Sequence, residues 1–153
     1  MKKRITILIA LALAALVVFA ACTDKSPALM GQERTIDNLA IKFTEVKQAE
    51  TTQGNVLVGV KFTIKNNRSN SFTVYDVFDF DCKYNGENAQ YVLTHSFGES
   101  LNGALAADDE RTGWFVLRVP ASWTELTIYF QPDLLKSYTD GQAFIVKNTD
   151  VTT

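Results

Sequence analysis

The sequence predicts an all-β domain built as an antiparallel β-sandwich of seven or eight strands with Greek-key connections. Apolar and polar residues alternate in several runs, which is the pattern of half-buried strands. Residues that favour strands are frequent, including ten Phe and five Tyr, and turn-forming clusters separate the runs. The 153 residues suffice for one such domain, predicted over residues 35–153, and only residues 132–139 suggest a single helical turn.

The clearest strand pattern lies in residues 56–64. Five successive apolar side chains fall on one face of this strand: Val56, Val58, Val60, Phe62 and Ile64. A second long strand is predicted over residues 72–84, with Phe78, Phe80, Cys82 and Tyr84 pointing inward. Shorter strands are predicted at residues 39–44, 90–97, 112–119, 124–130 and 143–147. A hairpin that turns at residues 120–124 would pair the two strands that flank it.

The first 22 residues have the layout of an export signal. Lys2, Lys3 and Arg4 precede an uncharged, mostly apolar run, and the small residues Ala20 and Ala21 come directly before Cys22. The apolar run is marginal in length for a helix that spans a bilayer. The pattern favours a lipoprotein signal, and the alternatives are a plain secretory signal and an uncleaved helical anchor.

Residues 18–22, VFAAC, resemble the bacterial lipobox, although Phe19 stands where the motif usually has an aliphatic residue. The resemblance implies a signal peptide over residues 1–21 and a mature chain that begins at Cys22 with a thioether-linked diacylglyceryl group. Two acyl chains hold a protein stably on a membrane. We therefore expect a cell-membrane protein, lipid-anchored on the extracytoplasmic face, with a flexible tether over residues 22–34.

The net charge excludes one class of partner. The formal net charge is −2, and removal of Lys2, Lys3 and Arg4 with the signal leaves the mature chain at −5. An acidic chain without a basic stripe does not attract nucleic acid. It is also weakly repelled by anionic lipid, so we expect the membrane to be a partner only through the lipid on Cys22.

Three sequence runs together resemble a known family. Residues 55–67, NVLVGVKFTIKNN, look like a strand that ends in an Asn-Asn turn, and residues 113–120, GWFVLRVP, with residues 126–130, LTIYF, look like the later strands of the same family. The set is similar to the telokin-like, immunoglobulin-like domain of unknown function in secreted bacterial lipoproteins, mostly Gram-positive. The resemblance covers residues 35–147 and implies an immunoglobulin-like sandwich outside the membrane, without established catalytic residues.

Cys82 and His95 are the pair available for thiol–imidazole catalysis once Cys22 is lipidated. Extracellular cysteine transpeptidases also use an arginine, and Arg111 and Arg118 are candidates. In sortase-type enzymes the His precedes the Cys in the chain and a recognisable motif surrounds the Cys, and neither condition holds here. Because the alternation places Cys82 inward and Lys83 outward, we expect Cys82 to be a buried, inert thiol.

No metal or other cofactor is expected. A single His is too few for a zinc or copper site. The acidic candidates for calcium are Asp76, Asp79, Asp81, Asp108, Asp109 and Glu110. Asp79 and Asp81 would share the outward face of one strand, but a solvated acidic surface is favoured, since no D-x-D-x-D-G loop is present.

The outward faces of the strands predict a partner-binding patch. Trp114 and Val116 oppose the core face of their strand, Tyr129 does so on the next strand, and Tyr75 points outward from residues 72–84. The hairpin at residues 120–124 would bring Val116 near Tyr129 and form an apolar, aromatic surface. The alternatives are that a loop or the N-terminal segment covers this surface, or that the assigned alternation is off by one residue.

The predicted function is a non-enzymatic binding or protein-interaction module outside the membrane, with a protein or another component of the cell envelope as its partner. Two alternatives stay open. One is a hydrolase or transpeptidase that acts on the cell wall, and the other is an accessory sensor or inhibitor subunit of a secreted system.

Overall fold

The structure is a computed structural model that describes residues 26–51, 54–137 and 139–152. This part of the chain forms eleven strands, two 3-10 turns (Asp140–Gln142 and Asn148–Asp150) and one short helix, α1 (Asp76–Asp79). The strands, in chain order, are β1 (Arg34–Ile36), β2 (Leu39–Glu50), β3 (Asn55–Asn66), β4 (Phe72–Val74), β5 (Phe80–Tyr84), β6 (Glu87–Asn88), β7 (Gln90–Tyr91), β8 (Gly103–Leu105), β9 (Glu110–Pro120), β10 (Glu125–Phe130) and β11 (Ala143–Lys147).

Two antiparallel sheets pack face to face and confirm the predicted sandwich. One sheet has five strands in the order β1-β2-β3-β9-β7, and the other has four in the order β11-β10-β5-β6. A small two-stranded sheet, β4-β8, lies beside them. Inward side chains of both large sheets form one apolar core. Within it, the ring centroids of Phe62 and Phe144 are 5.4 Å apart, and those of Phe80 and Phe115 are 5.0 Å apart.

Strand β3 is central in the five-stranded sheet, as its alternation predicts. It pairs with β2 and with β9 along nearly its whole length. All five predicted inward side chains are buried, and Phe62 is fully enclosed between Phe43, Phe80 and Phe144. Because β3 is paired on both edges, its backbone N–H and C=O groups are satisfied within the sheet.

The prediction of one long strand over residues 72–84 is wrong. The chain forms β4, turns through α1 and then begins β5 at Phe80. The turn is stable because the carboxylate of Asp79 accepts a hydrogen bond from the backbone N–H of Tyr75 at 2.7 Å, while the N–H of Asp79 donates to the carbonyl of Tyr75. Phe78 is therefore exposed, whereas Phe80 and Cys82 are buried as predicted.

The predicted hairpin at residues 120–124 does not form. Strand β9 belongs to the five-stranded sheet and β10 to the four-stranded sheet, so the turn crosses from one sheet to the other. Trp123 is buried in this crossing, and its indole N–H donates to Oε1 of Gln48 at 2.8 Å. The predicted strand over residues 90–97 is also shorter, since only Gln90–Tyr91 is a strand, and the described part of residues 132–139 forms a turn rather than a helix.

The folded domain begins before residue 35. Ala28 is fully buried against the edge of the four-stranded sheet, where its N–H donates to Ala143 and its carbonyl accepts from Ile145, both at 2.8 Å. The prediction of a flexible tether over residues 22–34 is therefore wrong from Ala28 onward. The predicted signal peptide and the predicted lipidation residue, Cys22, lie outside the described residues. No helix in the part of the chain described above is long and apolar enough to cross a membrane.

The buried side chain of Asn66 closes one end of the sandwich. Its amide nitrogen Nδ2 lies 2.9, 3.2 and 3.0 Å from the carbonyl oxygens of Asn70, Leu105 and Ala106, and its Oδ1 accepts from the N–H of Arg68. An amide side chain supplies both donors and an acceptor, so few other residue types could replace these contacts. The first Asn of the Asn-Asn signature thus ties the end of β3 to two neighbouring loops.

We expect Phe62→Ala to lower the free energy of unfolding by about 3–5 kcal/mol, because the paired sheets cannot close around the cavity it leaves. Thr63→Ala is the matched control on the outward face of β3, where the hydroxyl of Thr63 hydrogen-bonds to that of Thr112. This control should lose less than about 1 kcal/mol. Urea-induced unfolding of both variants measures the difference, and equal losses would contradict the central position of β3.

Candidate functional site

The predicted aromatic patch on the five-stranded sheet is covered. Trp114 and Val116 are only 4% and 1% exposed. Residues 92–100 lie over them: the N–H of Trp114 donates to the carbonyl of Glu99, and the ring of Phe97 lies 5.6 Å from that of Trp114. The alternative that a loop covers this surface is therefore correct.

Residues 92–100 pack closely on the sheet because Gly59 and Gly98 have no side chain at the contact. A Cβ atom on Gly59 would lie 3.0 Å from the ring of Phe97, and one on Gly98 would lie 2.9 Å from Nε1 of Trp114. The ammonium groups of Lys47 and Lys61 complete the enclosure at 5.2 and 5.5 Å from the Trp114 ring. Trp114 is therefore part of a second packed layer, outside the main core.

The other two patch residues are elsewhere. Tyr129 is half-buried on β10 in the opposite sheet, and Tyr75 is exposed beside α1. Because β9 and β10 belong to different sheets, Val116 and Tyr129 do not meet. Trp114, Val116, Tyr129 and Tyr75 thus do not form one surface.

The candidate catalytic residues do not converge either. Cys82 is buried between the sheets, where burial raises the pKa of its thiol. His95 packs against Phe97 on the outer side of the five-stranded sheet, 6.0 Å between ring centroids. Arg118 points outward to Gln90, and Arg111 packs against the backbone of Gly103. Nucleophilic catalysis needs the thiolate beside its base, and these residues do not provide that arrangement.

The acidic residues also differ from their predicted arrangement. Asp79 is buried at the end of α1, so it does not share an outward face with Asp81. Asp81 lies on β5 and forms an ion pair with Lys83 at 3.3 Å. Asp76 is buried and accepts a hydrogen bond from the hydroxyl of Ser100 at 3.0 Å. Within the described ranges, no group of three or more His, Cys, Asp or Glu side chains could hold a metal ion.

A different surface brings several loops together, at the end of the sandwich that Asn66 closes. We call it the loop end, and it consists of the β1–β2 turn at Asp37-Asn38, residues 67–71, α1 and residues 131–137. The two sheets meet here through an ion pair, since Nζ of Lys136 lies 2.8 Å from Oδ1 of Asp37. The strand register places α1 beside residues 131–137, because Phe80 pairs with Phe130 and the N–H of Gln131 donates to the carbonyl of Asp79.

An open polar cleft of about 490 Å³ lies in the loop end. Its lining residues come from both sheets: Asp37, Asn38, Asn67, Arg68, Ser69, Asn70, Pro132, Asp133 and Lys136. Turn geometry and a backbone hydrogen bond hold the loops around the cleft. Asp37 and Asn38 both have positive φ, as a tight two-residue hairpin turn requires, and the N–H of Asn67 donates to the carbonyl of Asn38 at 2.9 Å.

The charged groups of the cleft are partly paired with one another. Lys136 contacts Asp133 at 3.4 Å in addition to Asp37, and the carboxylate of Asp37 raises the pKa of Lys136. The N–H of Leu135 and then Lys136 lower the pKa of Asp133. Arg68 donates from Nε to the carbonyl of Asp37 at 2.8 Å and stacks on the ring of Phe72 at 4.7 Å. The cleft therefore offers both signs of charge at fixed positions, which suits a polar or zwitterionic ligand.

Exposed apolar side chains surround the cleft on the side of the four-stranded sheet. Leu135 is 97% exposed, Leu134 64%, Phe78 61%, Tyr75 52% and Val77 47%. Helix α1 is held from inside the fold by Asp79, whose pKa is raised to about 6 by burial. The buried Asp76 and Asp79 fix α1, so Val77 and Phe78 face the solvent.

Sequence reasoning missed the loop end. A local sign of its exposed apolar surface is the pair Leu134 and Leu135. Neighbouring side chains in a turn point in different directions, so the core cannot bury both leucines. Arg68, Asp133 and Lys136 lie far apart in the sequence, and only the fold brings them together.

Solved structures with the same architecture come from several bacteria. The domain aligns with a candidate lipoprotein of Bacillus subtilis, YcdA, at a TM-score of 0.62 and 15% identity, over 77% of this chain and 39% of YcdA. It aligns with a β-sandwich protein of Clostridium difficile at 0.53 and 15% identity, over 82% of this chain and 96% of that one. It also aligns with MPT63, a secreted protein of Mycobacterium tuberculosis, at 0.54 and 16% identity, over 79% and 97% of the two chains. At such identities the likeness establishes the fold alone.

No curated protein matches the sequence. A protein-family profile, described as a domain of unknown function, matches residues 28–140. The match begins at Ala28, the residue through which the chain joins the four-stranded sheet, and it includes the β3 strand with its Asn-Asn turn. The chain therefore belongs to the DUF4352 family of domains of unknown function.

Proposed function

We propose that this protein is a non-enzymatic binding module, held on the extracytoplasmic face of the cell membrane by a lipid on Cys22. The observation that carries the proposal is the order of features at the start of the chain: a basic segment, an apolar run, small residues and then Cys22. Two proteins of similar fold support it, because one is a candidate lipoprotein and another is secreted.

The loop end is the surface that best suits binding. Loops at the ends of immunoglobulin-like sandwiches commonly carry binding residues, since the sheets hold them rigidly. Here Asn66 and the Asp37–Lys136 ion pair fix the loops before a ligand arrives. A surface that is ordered in advance loses less conformational entropy on binding. Arg68, Lys136 and the side chains of Asn67, Ser69 and Asn70 are the groups that would contact a polar partner.

The arrangement of the side chains favours binding over catalysis. Cys82 is enclosed and has a raised pKa, so it is a poor nucleophile, and His95 lies on the far side of a sheet from it. This geometry gives no support to a transpeptidase. A sensor or inhibitor subunit would be a binding module whose partner is another secreted protein, and identification of the partner would decide between these roles.

We expect Cys22→Ala to abolish acylation and to shift the protein from the membrane fraction to the precursor pool or the medium. The thioether on Cys22 is the proposed attachment, and an acidic domain is not retained by anionic lipid. Metabolic labelling with a fatty-acid analogue and cell fractionation measure the change. Cys82→Ala is the matched control and should remain labelled and membrane-bound. Label that persists in Cys22→Ala would overturn the proposed anchor.

The binding surface is tested by a photo-crosslinking amino acid at Ser69, in the cleft, in intact cells. We expect a discrete adduct at Ser69, weakened by Arg68→Ala, because the guanidinium of Arg68 is among the cleft's charged groups. The control position is the exposed Ser122, in the turn at the opposite end of the sandwich. Adducts of equal yield at both positions, or an adduct at Ser122 alone, would contradict binding at the loop end.

A further inference from the structure

We propose that the loop end faces the bilayer, with Leu134, Leu135, Tyr75 and Phe78 in contact with the interfacial region of the lipid. The inference rests on the proposed anchor at Cys22 and names the membrane surface as a partner of the same loop end. Two independent observations carry it: the direction from which the chain reaches the fold, and the distribution of exposed apolar side chains.

The strand register shows the direction of the chain before Ala28. Ala28 pairs in parallel with Phe144 on β11. Strand β11 begins at Ala143, which is paired with Tyr129 near the loop end, and it ends at Lys147, which is paired with Glu125 near the opposite end. A segment parallel to β11 must therefore approach Ala28 from the loop end.

The covalent distance to the lipid is short. Cys22 and Ser26 are four residues apart in the sequence, and a fully extended chain covers at most about 14 Å over that distance. By contrast, a twelve-residue strand such as β3 is about 40 Å long. The lipid therefore keeps the loop end close to the membrane, while the opposite end cannot be near it unless the domain lies on its side.

The exposed apolar residues favour the upright orientation over the side-on one. Eight large hydrophobic side chains are exposed in the described part of the chain. Five of them are at the loop end, namely Tyr75, Val77, Phe78, Leu134 and Leu135, and two more, Leu29 and Met30, directly follow Ala28. Leu93, in the segment that covers Trp114, is the eighth. No member of this set lies in the turns around Ser122 or Gly54.

The apolar residues of the loop end suit a lipid surface, whereas the charges of the adjacent cleft are balanced and give no net attraction to anionic lipid. Arg68 and Lys136 are balanced there by Asp37 and Asp133, and the mature chain as a whole is acidic. Contact therefore depends on burial of apolar area, with the ring and hydroxyl of Tyr75 suited to the headgroup level. Such contact should be at least as strong on zwitterionic lipid as on anionic lipid and should change little with salt.

The test uses full-length, acylated protein with one added thiol, because Cys82 is buried and Cys22 carries the lipid. A polarity-sensitive fluorophore is attached at Leu135→Cys, at Phe78→Cys or at the control Ser122→Cys, and each protein is reconstituted into vesicles of phosphatidylcholine with or without phosphatidylglycerol. Nitroxide-labelled lipid should quench the probes at positions 135 and 78 several-fold more than the probe at position 122, and aqueous iodide should show the reverse order.

The readouts separate this inference from the anchor on which it rests. Mass spectrometry of the same samples reports the acyl group on Cys22. If the acyl group is present and the probes at positions 135 and 122 are equally accessible to iodide, the loop end does not contact the bilayer and the inference is overturned, while the anchor stands. Quenching that appears only with phosphatidylglycerol and disappears in salt would also overturn it in favour of an electrostatic contact. Absence of the acyl group would overturn both.

Discussion

The apolar face of β3 is the constraint on which the rest of this fold depends. Five apolar side chains on one face are removed from water only if a second sheet covers them. The backbone on both edges of β3 is paired along nearly its whole length. Strand β3 ends at Asn66, whose side-chain amide nitrogen donates hydrogen bonds to carbonyl groups of the neighbouring loops. The positions of the loops at the loop end therefore depend on the packing of the core strands.

The sequence predicted the sandwich well wherever one face of a strand is buried and the other is not. The alternation correctly identified the inward residues of β3 and placed Phe80 and Cys82 of β5 in the core. It failed over residues 72–84, because Asp79 bonds to the N–H of Tyr75 and Asp76 to Ser100, contacts that turn the chain regardless of its hydrophobic pattern. It also failed at residues 120–124, since local turn residues do not reveal whether a turn stays within one sheet or crosses to the other.

The candidate site was harder to predict because exposure is a property of the whole fold. Trp114 and Val116 are on the outward face, as predicted, but residues 92–100 cover them. Gly59, in a strand otherwise rich in Val, was a usable sign that something approaches that face closely. The cleft had no such sign, since Asp37, Arg68 and Lys136 meet only after both sheets have formed and packed.

The proposed lipid anchor, the direction of the chain at Ala28 and the exposed apolar residues of the loop end lead to one claim: the loop end contacts the membrane directly, without an intervening layer of water. Neutron reflectometry of the acylated protein on a supported phosphatidylcholine bilayer measures this directly, as the profile of protein and water along the membrane normal. Direct contact of the loop end with the bilayer predicts protein density that begins within the headgroup layer and extends outward along the strands. A layer of water between the headgroups and the protein would contradict it.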